Sequence, residues 1–274
     1  MNNKICFIGG GNMASSLVGG LVNNGYTPSL VTVTDPDAEK LDQLSKQFSI
    51  NTTSNNADAV EDSDVIVLAV KPQVLNEVCT SIKNHISNKS PLIISIAAGI
   101  RSTDIDRWLG DNNAIVRCMP NTPSLIQAGA TGLYANAQTS EDQKKVADTI
   151  LSSAGITLWV NEESLLDAVT AVSGSGPAYF FLFMEAMQEA GKKLGLDEAT
   201  AGQLARQTAL GAARMALEGE DDPATLRSKV TSKGGTTAAA IASFEENNFS
   251  QIIQQALTAA RDRAIELADD LGKL

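Results

Sequence analysis

A glycine-rich turn near the amino terminus constrains this chain more than any other stretch. A short apolar run with strand character, Lys4–Ile8, leads directly into Gly9-Gly10-Gly11-Asn12-Met13-Ala14, and a helical pattern of apolar residues follows as far as Gly25. Glycines in this arrangement let the backbone turn tightly and approach a pyrophosphate, whose charge then lies at the helix amino terminus. A strand–turn–helix unit without a ligand is the alternative. The strand before the turn and the helix after it favour a dinucleotide site.

An acidic residue follows the second predicted strand. Leu30–Thr34 is β-branched and alternating, and Asp35 comes directly after it. A carboxylate about 20 residues beyond the glycine turn holds the 2′-hydroxyl of the adenosine ribose, which favours NAD. No arginine lies beside Asp35 to bind a 2′-phosphate. The alternative, that Asp35 and Pro36 simply form a turn, is equally open.

Predicted strands and helices alternate over the first 160 residues. Asp64–Val70 is almost unbroken apolar, as expected of a strand covered on both faces, and Leu92–Gly99 repeats the pattern. Ligands of open α/β sheets bind beyond the carboxyl ends of the strands, so Val70, Lys71 and Pro72 lie at the appropriate edge. The alternation predicts a doubly wound parallel sheet. Further strands are predicted over 114–119, 129–136 and 155–160, and helices over 37–48, 72–85 and 140–153.

The composition changes near residue 161, beyond which the sequence contains no convincing strand. The chain is therefore predicted to divide into residues 1–160 and an all-α domain of residues 161–274. So many long, alanine-rich helices in so short a region predict that a partner subunit completes their core. Helical periodicity is found over 163–172, 177–195, 197–217, 223–230, 237–247 and 249–271.

Two turns in the helical part combine small residues with hydroxyl side chains. Ser173–Tyr179, in which Pro177 suits a first helical turn, and Ser232–Thr237 are each predicted to open a helix. Backbone N–H groups at a helix amino terminus have no intrahelical partner and bind carboxylates or phosphates. Ordinary helix capping is the alternative, and the sequence leaves both interpretations open.

The overall composition disfavours several classes of partner. The length of 274 residues is typical of about two domains, and the net charge of −11 disfavours nucleic acid and anionic membrane surfaces as partners. Cys6, Cys79 and Cys118 lie far apart in apolar contexts, as is typical of thiols in a reducing compartment. We expect no signal peptide before the first strand and no transmembrane segment, because no apolar run approaches about 18 residues, and no Cys/His spacing suggests a metal. We expect a cytoplasmic protein without a metal.

The chain contains a single histidine, His85, which is predicted at the polar end of a helix. Histidine is the usual general acid or base near neutral pH. If the protein is an enzyme, its chemistry is therefore expected to proceed without one.

Several motifs together resemble the pyrroline-5-carboxylate reductase family over essentially the whole chain. They are Ile8–Ala14, Ala69–Pro72, Ser95–Gly99, Met119–Pro123, Ala171–Tyr179 and Lys229–Thr237. The first is shared by many dehydrogenases, whereas the last two, together and in this order, are specific to the family. The resemblance implies hydride transfer from NADPH or NADH to the C=N carbon of 1-pyrroline-5-carboxylate, giving L-proline in the last step of proline biosynthesis. It implies an α/β fold, with an N-terminal Rossmann-type doubly wound parallel sheet and an all-α C-terminal dimerisation domain.

The resemblance also implies which residues bind NADP(H) or NAD(H). The pyrophosphate would be held by Gly9, Gly11, Asn12 and Met13. The adenosine ribose would be reached by Thr34 and Asp35, with Asn56 nearby. The nicotinamide and its ribose would be lined by Ala69, Val70, Lys71, Pro72, Ala97 and Ala98.

A second set of residues would, by the same resemblance, bind the substrate. The carboxylate would lie against Ser232, Gly235, Thr236 and Thr237, with Glu220 at the border of the site. A cyclic imine takes its proton from water when it becomes an iminium, so the enzyme needs orientation and an anion anchor more than a tuned acid. The hydroxyls of Ser175 and Thr237 are the candidates for assisting the imine nitrogen, and the sequence favours neither of them.

Family members form intertwined homodimers, often assembled further into decamers. This sequence departs from the family at two positions, because Lys233 stands where proline is usual and Asp35 is acidic where NADP-preferring members often have a neutral residue followed by arginine. The cofactor preference is therefore open. The β-hydroxyacid dehydrogenases are a rival, but they use a lysine that opens a helix after a glycine turn, and Ser173–Pro177 contains none. A nucleotide-sensing or scaffold protein without turnover is the non-enzymatic alternative.

Overall fold

An eight-stranded sheet with helices on both faces forms the larger part of the protein in a computed structural model, which describes residues 2–86 and 90–273. The strand order is β3-β2-β1-β4-β5-β6-β7-β8. The order reverses between β1 and β4, and such a switch point is where open α/β sheets bind ligands. The strands are β1 (Ile5–Ile8), β2 (Val31–Thr34), β3 (Asn51–Thr53), β4 (Val65–Leu68), β5 (Leu92–Ser95), β6 (Ile115–Met119), β7 (Gly129–Ala135) and β8 (Gly155–Trp159).

Each face of the sheet has its own hydrophobic core. Alternate residues of a strand point to opposite faces, so Ile5 and Phe7 of β1 belong to one cluster while Cys6 and Ile8 belong to the other. This explains why the central strands are nearly continuous apolar runs. The helices that pack around the sheet are α1 (Asn12–Asn23), α2 (Ala38–Phe48), α3 (Asn56–Glu61), α4 (Pro72–Ile86), α5 (Ser102–Leu109), α6 (Glu141–Leu151) and α7 (Leu165–Val169).

The predicted Rossmann-type sheet is confirmed, and it differs from the prediction in the direction of two strands and in three short elements. β6 and β7 pair antiparallel, with Cys118 opposite Leu133, whereas every other pairing is parallel. β8 pairs parallel with β7, so its carboxyl end points to the opposite edge from those of β1–β6. The elements β3, α3 and α5 were not predicted, because they are short and β3 consists of three polar residues, Asn51–Thr53.

The chain forms two compact units. One contains the residues up to Ser175 together with those from Ala260 onward, and the other is Gly176–Ala259. The boundary predicted from composition, between residues 160 and 161, follows the end of β8 and stays a prediction. The remaining helices are α8 (Gly176–Lys193), α9 (Glu198–Glu218), α10 (Pro223–Lys229), α11 (Thr236–Glu246) and α12 (Phe249–Leu271), of which α12 continues from the second unit into the first.

The helical unit exposes much apolar surface. Phe180, Phe181 and Leu182 of α8 are each more than 60% exposed, and Leu210 of α9 is 54% exposed. In contrast, α9 buries mainly small residues such as Ala201 and Ala205. This pattern is typical of helices whose apolar face is covered by another subunit.

The predicted helix start within Ser173–Tyr179 is observed, because α8 begins at Gly176 with Pro177 in its first turn, but a π-helical turn that was not predicted leads into it. Thr170–Gly174 forms a π-helical turn, and the N–H of Ser175 donates to the carbonyl of Thr170 over 2.8 Å. A Cβ added at Gly174 would lie 2.5 Å from Cε of Met119, so the π turn brings a glycine close against this side chain. The backbone N–H of Ser175 is therefore engaged and is not available to an anion.

Within the part of the chain that the structure describes, no helix combines the length and apolar character needed to cross a membrane. No group of three or more His, Cys, Asp or Glu side chains among these residues could hold a metal ion.

Candidate functional site

The glycine turn after β1 is tightly packed at its start. Gly9 has φ +103°, a conformation that favours glycine, and its N–H donates to the carbonyl of Thr34 over 2.8 Å. A Cβ added at Gly9 would lie 2.6 Å from the carbonyl oxygen of Ala69. The first glycine therefore allows β1 and the segment after β4 to approach closely at the switch point.

The last glycine of the turn faces open space instead. Gly11 precedes α1 as its N-cap, with φ −72° and ψ 178°, and no described side chain caps the helix there. Apart from its chain neighbours, no described heavy atom lies within 4 Å of a Cβ built on Gly11. The first N–H groups of α1 thus border a space that a glycine keeps open, as a pyrophosphate requires. Asn12 is exposed beside it, Met13 packs against the core, and Ala14 is buried.

The predicted ribose residues meet at the ends of β2 and β1. The hydroxyl of Thr34 donates to Oδ1 of Asn56 over 2.6 Å. The Asp35 carboxylate accepts hydrogen bonds from the N–H of Gly10 at 2.8 Å and from Nζ of Lys40 at 2.9 and 3.0 Å. Burial opposes the charge of Asp35, but these hydrogen bonds outweigh it and hold the pKa of Asp35 below its ordinary value.

The predicted nicotinamide residues lie at one edge of the sheet. β4 and β5 are parallel neighbours in which Leu68 is opposite Ser95. The segments that follow them therefore leave the sheet at the same edge. They carry the six residues Ala69, Val70, Lys71, Pro72, Ala97 and Ala98; Lys71 and Ala98 are exposed and Ala97 is buried.

A cavity of about 210 Å³ lies at this edge and contains Ala97, Ala98 and Ser175 in its lining. The structure thus brings one of the two candidate catalytic hydroxyls together with two of the predicted nicotinamide residues. A larger cleft of about 820 Å³ borders α6 and the end of β8 around Trp159, and it therefore lies away from the carboxyl ends of β1–β6.

A buried charged network that the sequence analysis missed borders the 210 Å³ cavity. Arg117 of β6 is 7% exposed and donates to Glu163 over 2.7 Å, and Glu163 also accepts from both the N–H and the hydroxyl of Ser102. Asp167 lines the same cavity, and burial raises its pKa above the ordinary value despite the nearby charges of Arg117 and Arg101. An arginine inside an otherwise apolar strand was the available signal, since a buried charge requires a partner.

The turn Ser232–Thr237 in the helical unit has the geometry of an anion-binding helix start. Gly235 is the N-cap of α11, its N–H donates to the carbonyl of Ser232, and among the residues described no side chain caps this helix. Gly234 has φ +73°. Thr236 and Thr237 are the first two helical residues, so the alternative that Thr237 caps the helix is not observed. Glu220 is an exposed residue shortly before α10.

The three thiols are buried in the sheet unit. Burial raises the pKa of Cys6 and of Cys79 to about 12, and it raises the pKa of Cys118 as well. None of the three forms a disulfide. They are therefore protonated core residues rather than nucleophiles.

Comparison with known proteins was consistent across sequence families, curated sequences and solved structures. Residues 163–267 match the family described as "Pyrroline-5-carboxylate reductase dimerisation", and residues 4–99 match the family described as "NADP oxidoreductase coenzyme F420-dependent". A pyrroline-5-carboxylate reductase of Pseudomonas aeruginosa is 52% identical over 270 residues, which cover 98% of each chain.

Two solved structures are also similar over nearly their whole length. A pyrroline-5-carboxylate reductase from Coxiella burnetii has a TM-score of 0.95 and 47% identity, covering 98% of this chain and 99% of that chain. The Plasmodium falciparum pyrroline carboxylate reductase, solved with NADP bound, has a TM-score of 0.84 and 32% identity, covering 97% and 98%. The chain therefore belongs to the pyrroline-5-carboxylate reductase family and is an oxidoreductase that uses NAD(P)H.

Proposed function

We propose that the protein reduces 1-pyrroline-5-carboxylate to L-proline, the last step of proline biosynthesis. The observation that carries the proposal is the 52% identity, over 98% of both chains, to a relative named for this reaction. The cofactor, NADPH or NADH, supplies a hydride for the C=N carbon. The substrate and product are small molecules, and the acidic net charge of −11 makes nucleic acid an unsuitable partner.

The glycine turn and the edge of the sheet bind the cofactor in this proposal. Open space at Gly11 and the uncapped start of α1 support a pyrophosphate there. The hydroxyl of Thr34 and the Asp35 carboxylate hold the adenosine ribose, and Asn56 fixes the hydroxyl of Thr34. The remaining contacts come from Asn12, Met13, Ala69, Val70, Lys71, Pro72, Ala97 and Ala98, together with Gly9, which brings the chain segments close.

The start of α11 anchors the substrate carboxylate. The N–H groups of Thr236 and Thr237, which follow the N-cap Gly235, lie at the positive end of the helix dipole, and the hydroxyls of Ser232 and Thr237 add donors. No basic side chain is required for this anchor. Glu220 borders the bound substrate. An anchored carboxylate restricts the orientation of the imine, which is the main contribution that hydride transfer needs from the protein.

Proton supply to the imine nitrogen does not require histidine. His85 lies on α4 against Glu61, with 2.9 Å between Nδ1 and Oε1, among exposed residues. The imine is protonated by water, and a hydroxyl, that of Ser175 or Thr237, positions the nitrogen. Ser175 is supported by its place in the cavity that Ala97 and Ala98 line.

The helical unit forms a homodimer in this proposal, and dimers assemble further into a decamer. The exposed apolar side chains of α8 and α9 support a subunit interface. Three buried, free cysteines support a reducing compartment, the cytoplasm.

A direct assay tests the function. Oxidation of NADPH and NADH is followed spectroscopically with 1-pyrroline-5-carboxylate as substrate, and L-proline is identified as the product. Oxidation of β-hydroxyacids, without reduction of 1-pyrroline-5-carboxylate, would instead indicate a β-hydroxyacid dehydrogenase. Cofactor binding without turnover on either substrate would indicate a nucleotide-sensing protein.

A further inference from the structure

Lys40 lies across the glycine turn, at a place that its sequence position does not indicate. Asp37 caps α2 by accepting hydrogen bonds from the N–H groups of Glu39 and Lys40 at 3.0 and 3.1 Å, which places Lys40 in the first helical turn. A Cβ added at Gly10 would lie 3.3 Å from Cδ of Lys40, so the lysine stem passes over the middle glycine. Its ammonium group reaches both carboxylate oxygens of Asp35.

The charge of Asp35 is consequently compensated. Its carboxylate accepts hydrogen bonds from the N–H groups of Gly10 and Asp37 and, on both oxygens, from Lys40, which together occupy its roughly four acceptor sites. The Asp35 side chain is only 9% exposed, whereas that of Lys40 is 39% exposed. The outward-facing charge at this corner is therefore the ammonium group, and Asp35 does not present an unpaired negative charge to a 2′-phosphate.

We propose that Lys40 is a specificity-determining residue that binds the 2′-phosphate of NADPH, and that the Asp35–Lys40 pair lets this site accept both NADPH and NADH. The proposal rests on the cofactor site proposed at the glycine turn. Lys40 supplies the positive charge that a phosphate requires. With a free 2′-hydroxyl, Lys40 stays paired with Asp35, and no unpaired charge faces the ribose. This modifies the expectation from the sequence, in which Asp35 alone favoured NAD.

Direct binding of cofactor fragments tests the proposal without turnover. Isothermal titration calorimetry measures how tightly adenosine 2′,5′-bisphosphate and 5′-AMP bind to the full chain. The two fragments differ only in the 2′-phosphate. Lys40→Met keeps the stem over Gly10 and removes the charge. We expect it to weaken binding of the bisphosphate roughly tenfold, the lower end for a hydrogen bond to a charged group, and to change AMP binding less than about twofold. Added salt should weaken bisphosphate binding more in the wild type than in Lys40→Met.

The chain offers a matched control on the same helix. Lys46, six residues further along α2, pairs with Asp42 at 2.6 Å, and both side chains are exposed. Lys46→Met removes the same charge away from the ribose corner and should leave both affinities unchanged. Lys40→Arg keeps a cation and should retain the preference for the bisphosphate.

Asp35→Asn provides an independent arm. The amide oxygen still accepts from the N–H of Gly10, while Lys40 is released from its ion pair. Bisphosphate binding should then strengthen about three- to tenfold, and this gain should vanish when Lys40→Met is also present.

Three results would overturn the assignment. The first is an equal loss of affinity for both fragments in Lys40→Met, and the second is no change in affinity for either fragment in that variant. The third is a gain of bisphosphate affinity in Asp35→Asn that persists when Lys40→Met is also present. Melting curves establish that each variant is folded. If neither fragment binds the wild-type protein, the cofactor site at the glycine turn fails together with this inference. Binding of both fragments with no selective effect of Lys40 overturns the inference alone.

Discussion

Alanine substitutions at two glycines of the same turn should separate folding from cofactor binding. At Gly9, a Cβ would lie 2.6 Å from the carbonyl oxygen of Ala69, and φ is +103°. The backbone strain costs about 1–3 kcal/mol and the overlap costs about 1–3 kcal/mol more. Gly9→Ala should therefore lower the melting temperature by roughly 5–20 °C.

Gly11→Ala should behave in the opposite way. Gly11 has φ −72°, which alanine adopts without strain, and its Cβ would meet only open space. Alanine is a poorer N-cap than glycine, which costs less than about 1 kcal/mol, so the melting temperature should change by only a few degrees. The new methyl group would occupy the approach to the first N–H groups of α1. The dissociation constant of NADPH should rise at least about tenfold.

Fluorescence titration with NADPH gives the dissociation constant for each variant, and thermal unfolding gives its melting temperature. The comparison is internal, because the two substitutions add the same methyl group two residues apart. Wild-type affinity for NADPH in Gly11→Ala would refute the placement of the pyrophosphate at this turn. An unchanged melting temperature in Gly9→Ala would refute the close approach between β1 and the segment after β4.

Further predictions concern the anchor, the charged network and assembly. Thr237→Val should lower kcat/KM for 1-pyrroline-5-carboxylate roughly tenfold to a hundredfold and spare NAD(P)H affinity; steady-state kinetics at the wild-type level would remove Thr237 from the anchor. Glu163→Ala should cost about 3–5 kcal/mol in urea unfolding, because it leaves Arg117 buried without its partner; a loss below about 1 kcal/mol would contradict a role for this pair in stability. Light scattering of active protein should show a dimer or a larger assembly, with about 2,000 Å² or more buried per interface, and an active monomer would contradict it.

The sequence alone determined the fold class and the position of the glycine turn. These depend on local signals: glycines where the backbone must turn, β-branched and apolar runs that form buried strands, and helical periodicity after residue 161. Observed elements follow the predicted ones closely, as in α12, which was predicted at 249–271 and is observed at Phe249–Leu271. The family motifs predicted where a cofactor and a carboxylate would bind, and those residue assignments stay predictions.

Elements with weak local signals required the structure. β3 has only three polar residues, and its strand conformation comes from pairing with β2. The antiparallel direction of β7 depends on the path of the chain through Asn121, whose amide accepts from the N–H of Ala130 and donates to the carbonyl of Ser173. The interpretation of Ser173–Tyr179 as a helix start agrees with α8, which begins at Gly176, but the π turn before it, where Gly174 packs on Met119, required the structure.

The charge pairs also depend on tertiary contacts. Arg117 and Glu163 are 46 residues apart in sequence and meet at 2.7 Å. Lys40 and Asp35 are near in sequence, yet their pairing requires α2 to fold back over the glycine turn. Residue types and local periodicity determine which elements form, whereas the partners of a buried or half-buried charge depend on which elements the fold brings together. The sequence therefore indicated a dinucleotide site, and only the tertiary structure revealed that the acidic residue at its ribose corner is paired with a lysine.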